Sequence, residues 1–447
     1  MASAAEQLAA SINFGAIAKA TELKKRLWFT FGALIIYRLG TYIPLPGIDP
    51  VILEDVFRQQ AAGIIGMFNM FSGGALGRMT IFALNIMPYI SASIIIQLMT
   101  TVSPHLAQLK KEGDSGRRKI TQYTRYGTVI LATFQGLGIA VGLEGMTGSQ
   151  GSAVMDPGLT FRFITVITLV GGTIFLMWLG EQITARGVGN GISLIIMAGI
   201  VAELPAAMAT TLELGRTGAL SALFIILLML MSVGVIAFIV FVERAQRRLI
   251  VQYPKRQQGN KMLGGENSHL PLKLNTAGVI PPIFASSLLL LPITAMSFSA
   301  ASGPGLLTDF AALLSRGSPA YLLLYISLIV FFAFFYTSVV FNPEDTAENL
   351  KKNNGFIPGI RPGKNTAEYI DYVLRRLTTV GAIYLSAVCV LPEILISQYA
   401  VPFYFGGTSL LIVVNVNMDF VGQVHSHLLA HQYEGLIKKS RLRGRRG

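Results

Sequence analysis

Ten stretches of roughly 20 predominantly apolar residues recur along the chain, and each is long enough for one helix to cross a bilayer. They cover 27–43, 79–101, 122–143, 161–179, 190–209, 219–242, 276–297, 320–341, 373–392 and 405–424. Hydrocarbon offers no water to pair backbone amides, so a chain with such runs folds as spanning helices that satisfy their own backbone. The expectation is an all-α polytopic membrane protein with ten transmembrane helices. A hydrophobic content of 52% against 13% charged residues excludes both a soluble globule and a disordered chain.

The net charge is nevertheless +13, from 36 Lys and Arg against 23 Asp and Glu. A chain this apolar carries such charge only if the charge is segregated. Thirty of the 36 basic residues fall in the two tails, in the loops after the second, fourth, sixth and eighth runs, or within the first four residues of the run that follows such a loop (Arg125, Arg375 and Arg376). Arg58, Arg78, Arg216 and Arg316 occupy the opposite loops, Arg162 stands at the outer start of the fourth run, and Arg38 lies inside the first run. The positive-inside rule then puts both termini and the basic loops in the cytoplasm. The chain divides into an N-terminal tail (1–26), a first half (27–209), a second half (219–424) and a basic C-terminal tail (425–447). Two long basic loops, at about 243–275 and 342–372, belong to the second half. Lys24-Lys25-Arg26 precede the first run, but it ends at Pro44-Leu45-Pro46-Gly47 rather than at a small-residue cleavage site. It reads as a retained span, not a cleaved signal.

No constellation for catalysis, cofactor or metal emerges. The single cysteine, Cys389, allows neither an internal disulfide nor a cysteine zinc site. His105, His269, His425, His427 and His431 lie in or beside the basic segments, away from mid-membrane, which argues against a buried nucleophile–histidine pair or a histidine metal site. There is no G-x-x-x-x-G-K-[ST] loop, so ATP hydrolysis is not expected of this chain. Gly113-Asp114-Ser115-Gly116 sits among five basic residues and reads as a solvated turn. Gly187-Val188-Gly189-Asn190-Gly191 lacks the preceding strand of a dinucleotide loop and reads as a flexible helix start. The ionisable residues noted inside the spans are Arg38 and Asp419, fewer than an ion-coupled transporter needs. Each is expected to pair with a backbone group or to reach an interface.

Interrupted segments occupy matching places in the two halves. Span two contains Pro88; span seven opens with Asn275-Thr276-Ala277-Gly278 and carries Pro281-Pro282. Such pairs point to a central pathway between inverted repeats. The first outward loop holds an apolar piece, 61–71 (AAGIIGMFNMF), too short to span and followed by Ser72-Gly73-Gly74. It either lies on a surface or folds back as a re-entrant half-helix. Ile86 and Ile90, and likewise Ile192 and Ile196, stand four apart on one helical face, with Asn85, Ser91, Ser93, Gln97, Asn190 and Ser193 around them. Such isoleucines either pack against lipid and neighbours or form the apolar waist of a gated aqueous pore.

The stretch 68–97 (FNMFSGGALGRMTIFALNIMPYISASIIIQ) strongly resembles the SecY family, the channel subunit of the bacterial Sec protein-export translocon. So do 178–193 (WLGEQITARGVGNGIS), 241–259 (FVERAQRRLIVQYPKRQQG), 269–287 (HLPLKLNTAGVIPPIFASS), 340–370 (VFNPEDTAENLKKNNGFIPGIRPGKNTAEYI) and 402–413 (PFYFGGTSLLIV). The resemblance is collinear from about Leu23 to the C-terminal tail. It implies two inverted five-helix halves around a central hourglass pore, with a re-entrant plug half-helix. The residues matching the pore ring are Ile86, Ile90, Ile192, Ile196, Ile283 and Ile412. The plug, about 61–76, takes in Ile64, Ile65, Met67, Phe68, Asn69, Met70, Phe71, Ser72, Gly73 and Gly74. A lateral gate for signal sequences opens between spans two/three and seven/eight, with Ser91, Ile94, Gln97, Ser286 and Ser287 along it.

The resemblance also makes the basic loops a dock for the SecA ATPase or the ribosome, with Arg244, Arg247, Arg248, Lys255, Arg256 and Arg361 as the contact residues. Ribosomal RNA would meet them through salt-sensitive phosphate contacts. Further implied partners are SecE and SecG, signal peptides, nascent or preprotein chains, and the lipid bilayer. The implied location is the bacterial inner membrane, multi-pass, with both termini cytoplasmic. One departure from the family pattern is Asn415 and Asn417 in span ten, where an aliphatic run is expected. These amides either face a wet funnel or bond a neighbouring helix.

Overall fold

The computed structural model describes residues 20–49, 52–53, 69, 72–145, 147–148, 151–218, 221–253, 256–258, 261–263, 267–299, 318–399 and 407–443. The first half forms the helices α1 (Thr21–Gly40), α2 (Met87–Val102), the polar α3 (Pro104–Lys111), α4 (Asp114–Glu144), α5 (Leu159–Arg186) and α6 (Gly191–Arg216). The second half supplies α7 (Ala222–Arg244), α8 (Ile280–Ser299), α9 (Pro319–Val340), α10 (Pro343–Lys352), α11 (Lys364–Tyr399) and α12 (Gly407–Arg443). Among the described residues, six helices are long and apolar enough to cross a membrane, or seven if α2 and α3, bent by 98° at the break between them, form one broken span. Four helix starts are capped by short polar side chains. Asn190, Ser221, Ser318 and Asn342 each accept a hydrogen bond from a first-turn amide, and Pro319 and Pro343 begin their helices where a missing N–H costs nothing.

Two spans begin later than their apolar runs. Residues 79–86 are successive turns, with Met79 and Asn85 at positive φ, so the run 79–101 is helical only from Met87. Two left-handed residues break the helical path, and Pro88 then lies in the first turn of α2. Likewise, α8 starts at Ile280, with Pro281 and Pro282 in its first turn, after bends and turns through 274–279. The reading of 113–116 as a solvated turn is corrected, because Asp114 already opens α4 and only Gly113, at φ 76°, makes the turn. Gly116 is inside the helix, where a Cβ would strike the Leu109 carbonyl.

The all-helix expectation also omits strands. The long loop after α7 folds as an antiparallel hairpin of β3 (Gln246–Gln252) and β6 (Asn267–Lys273), in register from Gln246↔Lys273 to Gln252↔Asn267. Within it, β4 (Arg256–Gln258) pairs with β5 (Lys261–Leu263). A two-stranded pair, β1 (Thr147–Gly148) and β2 (Gly151–Ser152), joins α4 to α5. Numbered in chain order, β1 and β2 thus precede the long hairpin.

Packing repeats between the halves. In the first, α2 packs on α4, α4 on α5 and α5 on α6; in the second, α8 packs on α9, α9 on α11 and α11 on α12. The halves meet where α8 packs on α2 and α4, and where α12 packs on α6. One continuous apolar core runs through this meeting place, from Tyr37 and Phe82 through Ile195 to Phe332 and Leu411. Outward faces are apolar too: Leu223, Leu230 and Phe241 of α7 are all more than two-thirds exposed, as suits a helix solvated by hydrocarbon rather than water. Close approach of backbones depends on small residues. On α5 the neighbours Gly171 and Gly172 face opposite situations: a Cβ on Gly172 would strike the Ile81 carbonyl, whereas one on Gly171 meets nothing within 4 Å. Gly172→Ala should therefore lower the unfolding midpoint in detergent, by overpacking of about 1–3 kcal/mol. Gly171→Ala should leave the midpoint unchanged or raise it, because Ala is the better helix former by about 1 kcal/mol. Equal shifts for the two variants would contradict the close contact at 81.

Candidate functional site

Where the halves meet, the helices α2, α6, α8 and α12 surround a small void. It is lined by Ile86 and Ile90 at the start of α2, Ile196 of α6, Ile283 of α8 and Ile412 of α12, with Asn85, Met87 and Ser286 completing the wall. The structure thus brings five of the six ring isoleucines together around one space. Ile192, one turn before Ile196, is half-buried at the edge of the same core, close beside Gly180 of α5. Room for the centre of a water-sized sphere is about 10 Å³, enough for about one water molecule. An apolar constriction of that size holds no hydrated ion. Two of its walls are helix starts, α2 and α8, because the chain leaves the helix immediately before each of them.

The segment before α2 is held by arginines. The Gly73 carbonyl accepts from Arg38 Nη1 at 2.8 Å and from Arg78 Nη2 at 3.3 Å, and the Gly74 carbonyl accepts from Arg78 Nε at 3.2 Å. Tyr37 Oη donates to the Ser72 carbonyl at 3.3 Å. Tyr42 lies under both guanidinium groups, at 5.0 Å from Arg38 and 4.3 Å from Arg78, and Arg38 Nη2 donates to its hydroxyl at 3.0 Å. Asn69 ties the near end: its carbonyl accepts from Gly74 N–H at 2.8 Å, and its Oδ1 accepts from Gly77 N–H at 2.6 Å. Gly73 and Gly74 both sit at positive φ, 65° and 80°, which a side chain would strain. Of the plug residues, Asn69, Ser72, Gly73 and Gly74 are these; Ile64, Ile65, Met67, Phe68, Met70 and Phe71 lie outside the described residues.

Of the residues expected at the lateral gate, Ser91 and Ile94 of α2 and Ser286 and Ser287 of α8 are buried, and Gln97 of α2 is half-buried. Ser286 Oγ donates back to the Ile283 carbonyl at 2.9 Å. Gln97 Oε1 and Ser287 Oγ are buried with no hydrogen-bond partner among the described residues, which weakens the packing of the helices that carry them.

The turn 187–191 is not the flexible start expected of so many glycines. Side chains from three helices pair its amides: Thr30 Oγ1 accepts from Val188 N–H at 3.1 Å, Gln423 Oε1 from Gly189 N–H at 2.8 Å and Thr184 Oγ1 from Gly191 N–H at 2.9 Å. A tight turn between two spans has no ladder of its own, so its amides need such partners.

The two basic loops form one body. The Gln252 and Phe356 amides and carbonyls exchange hydrogen bonds at 2.9 and 3.0 Å. Leu249 and Leu272 of the hairpin share a small core with Ile357, Ile370, Val373 and Leu374. Arg244, Arg247, Arg248 and Arg361 stand exposed on this body. Arg361 follows Gly359 and precedes Gly363, both at positive φ, and its carbonyl accepts from Thr366 Oγ1 at 2.9 Å. Arg256 lies in β4, and Lys255 lies outside the described residues.

Charged and polar groups missed in the sequence complete the site. Glu203 sits inside the fifth apolar run, on α6, with its carboxylate 3.8 Å from Arg78, so the intramembrane ionisable set was larger than Arg38 and Asp419. Its signal, one carboxylate in an apolar run, was visible. Glu243, the first residue of the long basic loop at 243–275, is 8% exposed and accepts from Asn275 Nδ2 at 2.6 Å. Asn415 and Asp419 of α12 line an open cavity together with Glu243, Arg244 and Lys273, so Asn415 faces polar surroundings rather than lipid. Asn417 is exposed. Among the described residues, no group of three or more His, Cys, Asp or Glu is placed to hold a metal ion.

The SecY family model matches residues 80–421. The chain is 58% identical over 424 residues to the protein translocase subunit SecY of Escherichia coli (strain K12), covering 95% of this chain and 96% of that protein. Its fold is similar to a solved protein-conducting channel, with a TM-score of 0.61 at 17% identity over 91% of this chain and 92% of the other. It is also similar to Sec61 in the canine ribosome–channel complex from the endoplasmic reticulum, with a TM-score of 0.60 at 17% identity and the same coverage.

The arginine contacts carry their own test. With Arg38 and Arg78 both replaced by Ala, amide exchange over 72–80 should quicken about tenfold or more, since hydrogen bonds from charged donors hold the segment. Each single variant should have a smaller effect, and the interior of α5 should exchange as before. An unchanged rate over 72–80 in the double variant would rule out the arginine hold.

Proposed function

The chain belongs to the SecY family, and on that premise we propose that it is the protein-conducting channel of a Sec translocon. It passes unfolded secretory polypeptides across the membrane and releases hydrophobic segments sideways into lipid. The observation that carries this reading is the void lined by isoleucines from α2, α6, α8 and α12. A translocating chain is polar along its whole backbone, and each group left unpaired in hydrocarbon costs several kcal/mol. It needs a water-filled path that nevertheless blocks ions at rest. Aliphatic side chains around room for one water give that seal, and they part without offering a passing chain a polar foothold.

The finer architecture we propose has ten spans in two inverted five-helix halves around an hourglass pore. The repeated packing order of the halves supports this, as do the matching late starts of α2 and α8. A plug at about 61–76 closes the outer funnel. The lateral gate lies between α2 and α8, and an apolar signal segment leaving through it gains about 25 cal/mol per Å² buried. Unpaired Gln97 Oε1 and Ser287 Oγ support a seam that opens at low cost.

The chain is a channel subunit and not an enzyme; ATP hydrolysis belongs to a partner motor. The joint body of the basic loops, with Arg244, Arg247, Arg248 and Arg361 outward, is the dock for SecA or the ribosome, in a complex with SecE and SecG. Both termini are cytoplasmic and the membrane is the bacterial inner membrane, as the distribution of basic residues supports.

Single cysteines at Ile86, Ile192 and Ile283 should cross-link to a secretory chain stalled in transit; absence of an adduct at all three would overturn the pore assignment. Arg361→Glu should reduce motor- or ribosome-driven translocation in reconstituted vesicles at least about tenfold while the complex still assembles, because charge reversal at a rim-exposed docking site repels an anionic partner. Full activity would show that the dock lies elsewhere.

A further inference from the structure

A hydrogen-bonded joint stands where the basic hairpin meets the helices. α7 ends at Arg244 and β3 starts at Gln246, while β6 ends at Lys273 and α8 starts at Ile280. The last hairpin pair is Gln246↔Lys273. Below it Leu274 N–H donates to the Ala245 carbonyl at 2.9 Å. Below that, Asn275 Nδ2 makes two bonds, to Glu243 Oε1 at 2.6 Å and to the Gly278 carbonyl at 3.0 Å. Asn275 is 4% exposed and Glu243 8%. One amide group therefore fastens the last turn of α7 to the backbone that leads into α8. Losing the bond would take one donor from a buried carboxylate that Asn415 and Lys273 also face, which disfavours motion that separates Asn275 from Glu243.

The position of this joint has a mechanical consequence. Ile283 of the void follows Gly278 by five residues, and the gate residues Ser286 and Ser287 come one turn later. A hairpin rooted this way does not tilt independently of α8, because its two strands leave from the two ends of the Asn275–Glu243 bond. We propose that Asn275 is a positioning residue that couples load on the hairpin to α8, so that hairpin root, α7 end and first turn of α8 move as one piece and shift a wall of the pore. The coupling rests on the reading of the hairpin as part of the motor dock, but the joint itself does not.

Spin labels at Arg247 on β3 and at the exposed Leu288 on α8, in the full channel complex in vesicles without motor, test the joint directly. The parent should give one narrow distance distribution. Asn275→Asp, which sets carboxylate against carboxylate, should broaden it. Adding Glu243→Gln should narrow it part of the way, because the glutamine amide donates to the new aspartate while the bond to the Gly278 carbonyl stays lost. Glu243→Gln alone keeps the acceptor and should match the parent. If Asn275→Asp fails to assemble, Asn275→Ala serves the same arm. An unbroadened distribution in the bond-breaking variant overturns the joint. In the motor-driven assay, Asn275→Asp should keep motor affinity within about twofold and lower chains translocated per ATP about tenfold, with partial recovery in the double variant. A parallel fall in affinity, or undiminished translocation per ATP, overturns the coupling. Arg248→Glu with unchanged motor affinity would instead overturn the dock reading alone.

Discussion

A backbone amide or carbonyl in hydrocarbon must find a partner within the protein, and the structure is organised around the places where helices cannot supply one. The chain leaves the helix at 72–86, at 187–190 and at 274–279. In each place side chains take over the pairing, some from other helices and some from the break itself. Arg38, Arg78 and Tyr37 serve the first, Thr30, Thr184 and Gln423 the second, and Asn275 the third. Two of the breaks end at helix starts that form walls of the isoleucine-lined void. The breaks that make an aqueous path conceivable are therefore themselves braced by side chains.

The charges follow the same logic. Arg38, Arg78 and Glu203 do not form a relay for ion coupling; the arginines spend their donors on the carbonyls of Gly73 and Gly74. Arg162 and Glu144 lock the ends of α4 and α5 through two contacts of 2.6 and 2.9 Å, and Glu144 also accepts from Gly158 N–H at 3.0 Å. Arg125 and Glu181 tie the same two helices near their other ends at 2.6 and 3.0 Å. These half-exposed pairs contribute little stability singly, but each is bidentate or shared with backbone, which fixes orientation. Arg244, Arg247, Arg248 and Arg361 of the joined basic loops stay exposed instead.

The sequence by itself determined most of the elements. Runs of apolar residues about 20 long specify spanning helices because hydrocarbon permits few alternatives, and Pro88 and Pro281-Pro282 marked the two late helix starts. The isoleucines were legible only as faces: Ile86 with Ile90, and Ile192 with Ile196, share a side by helical period, yet period alone did not separate a pore from a lipid contact. The resemblance to the SecY family singled them out, and Ile283 and Ile412 with them. The tertiary structure decided which of them meet, because a shared void depends on the crossing of α2, α6, α8 and α12, a property of packing that no local pattern encodes. It also decided that Gly187 to Gly191 form a braced turn, that two separate basic loops share one small core, and that Glu243 is buried rather than solvated. In each case the partner lies far along the chain, as with Gly189 and Gln423, and such pairings are fixed by three-dimensional proximity rather than by neighbouring sequence.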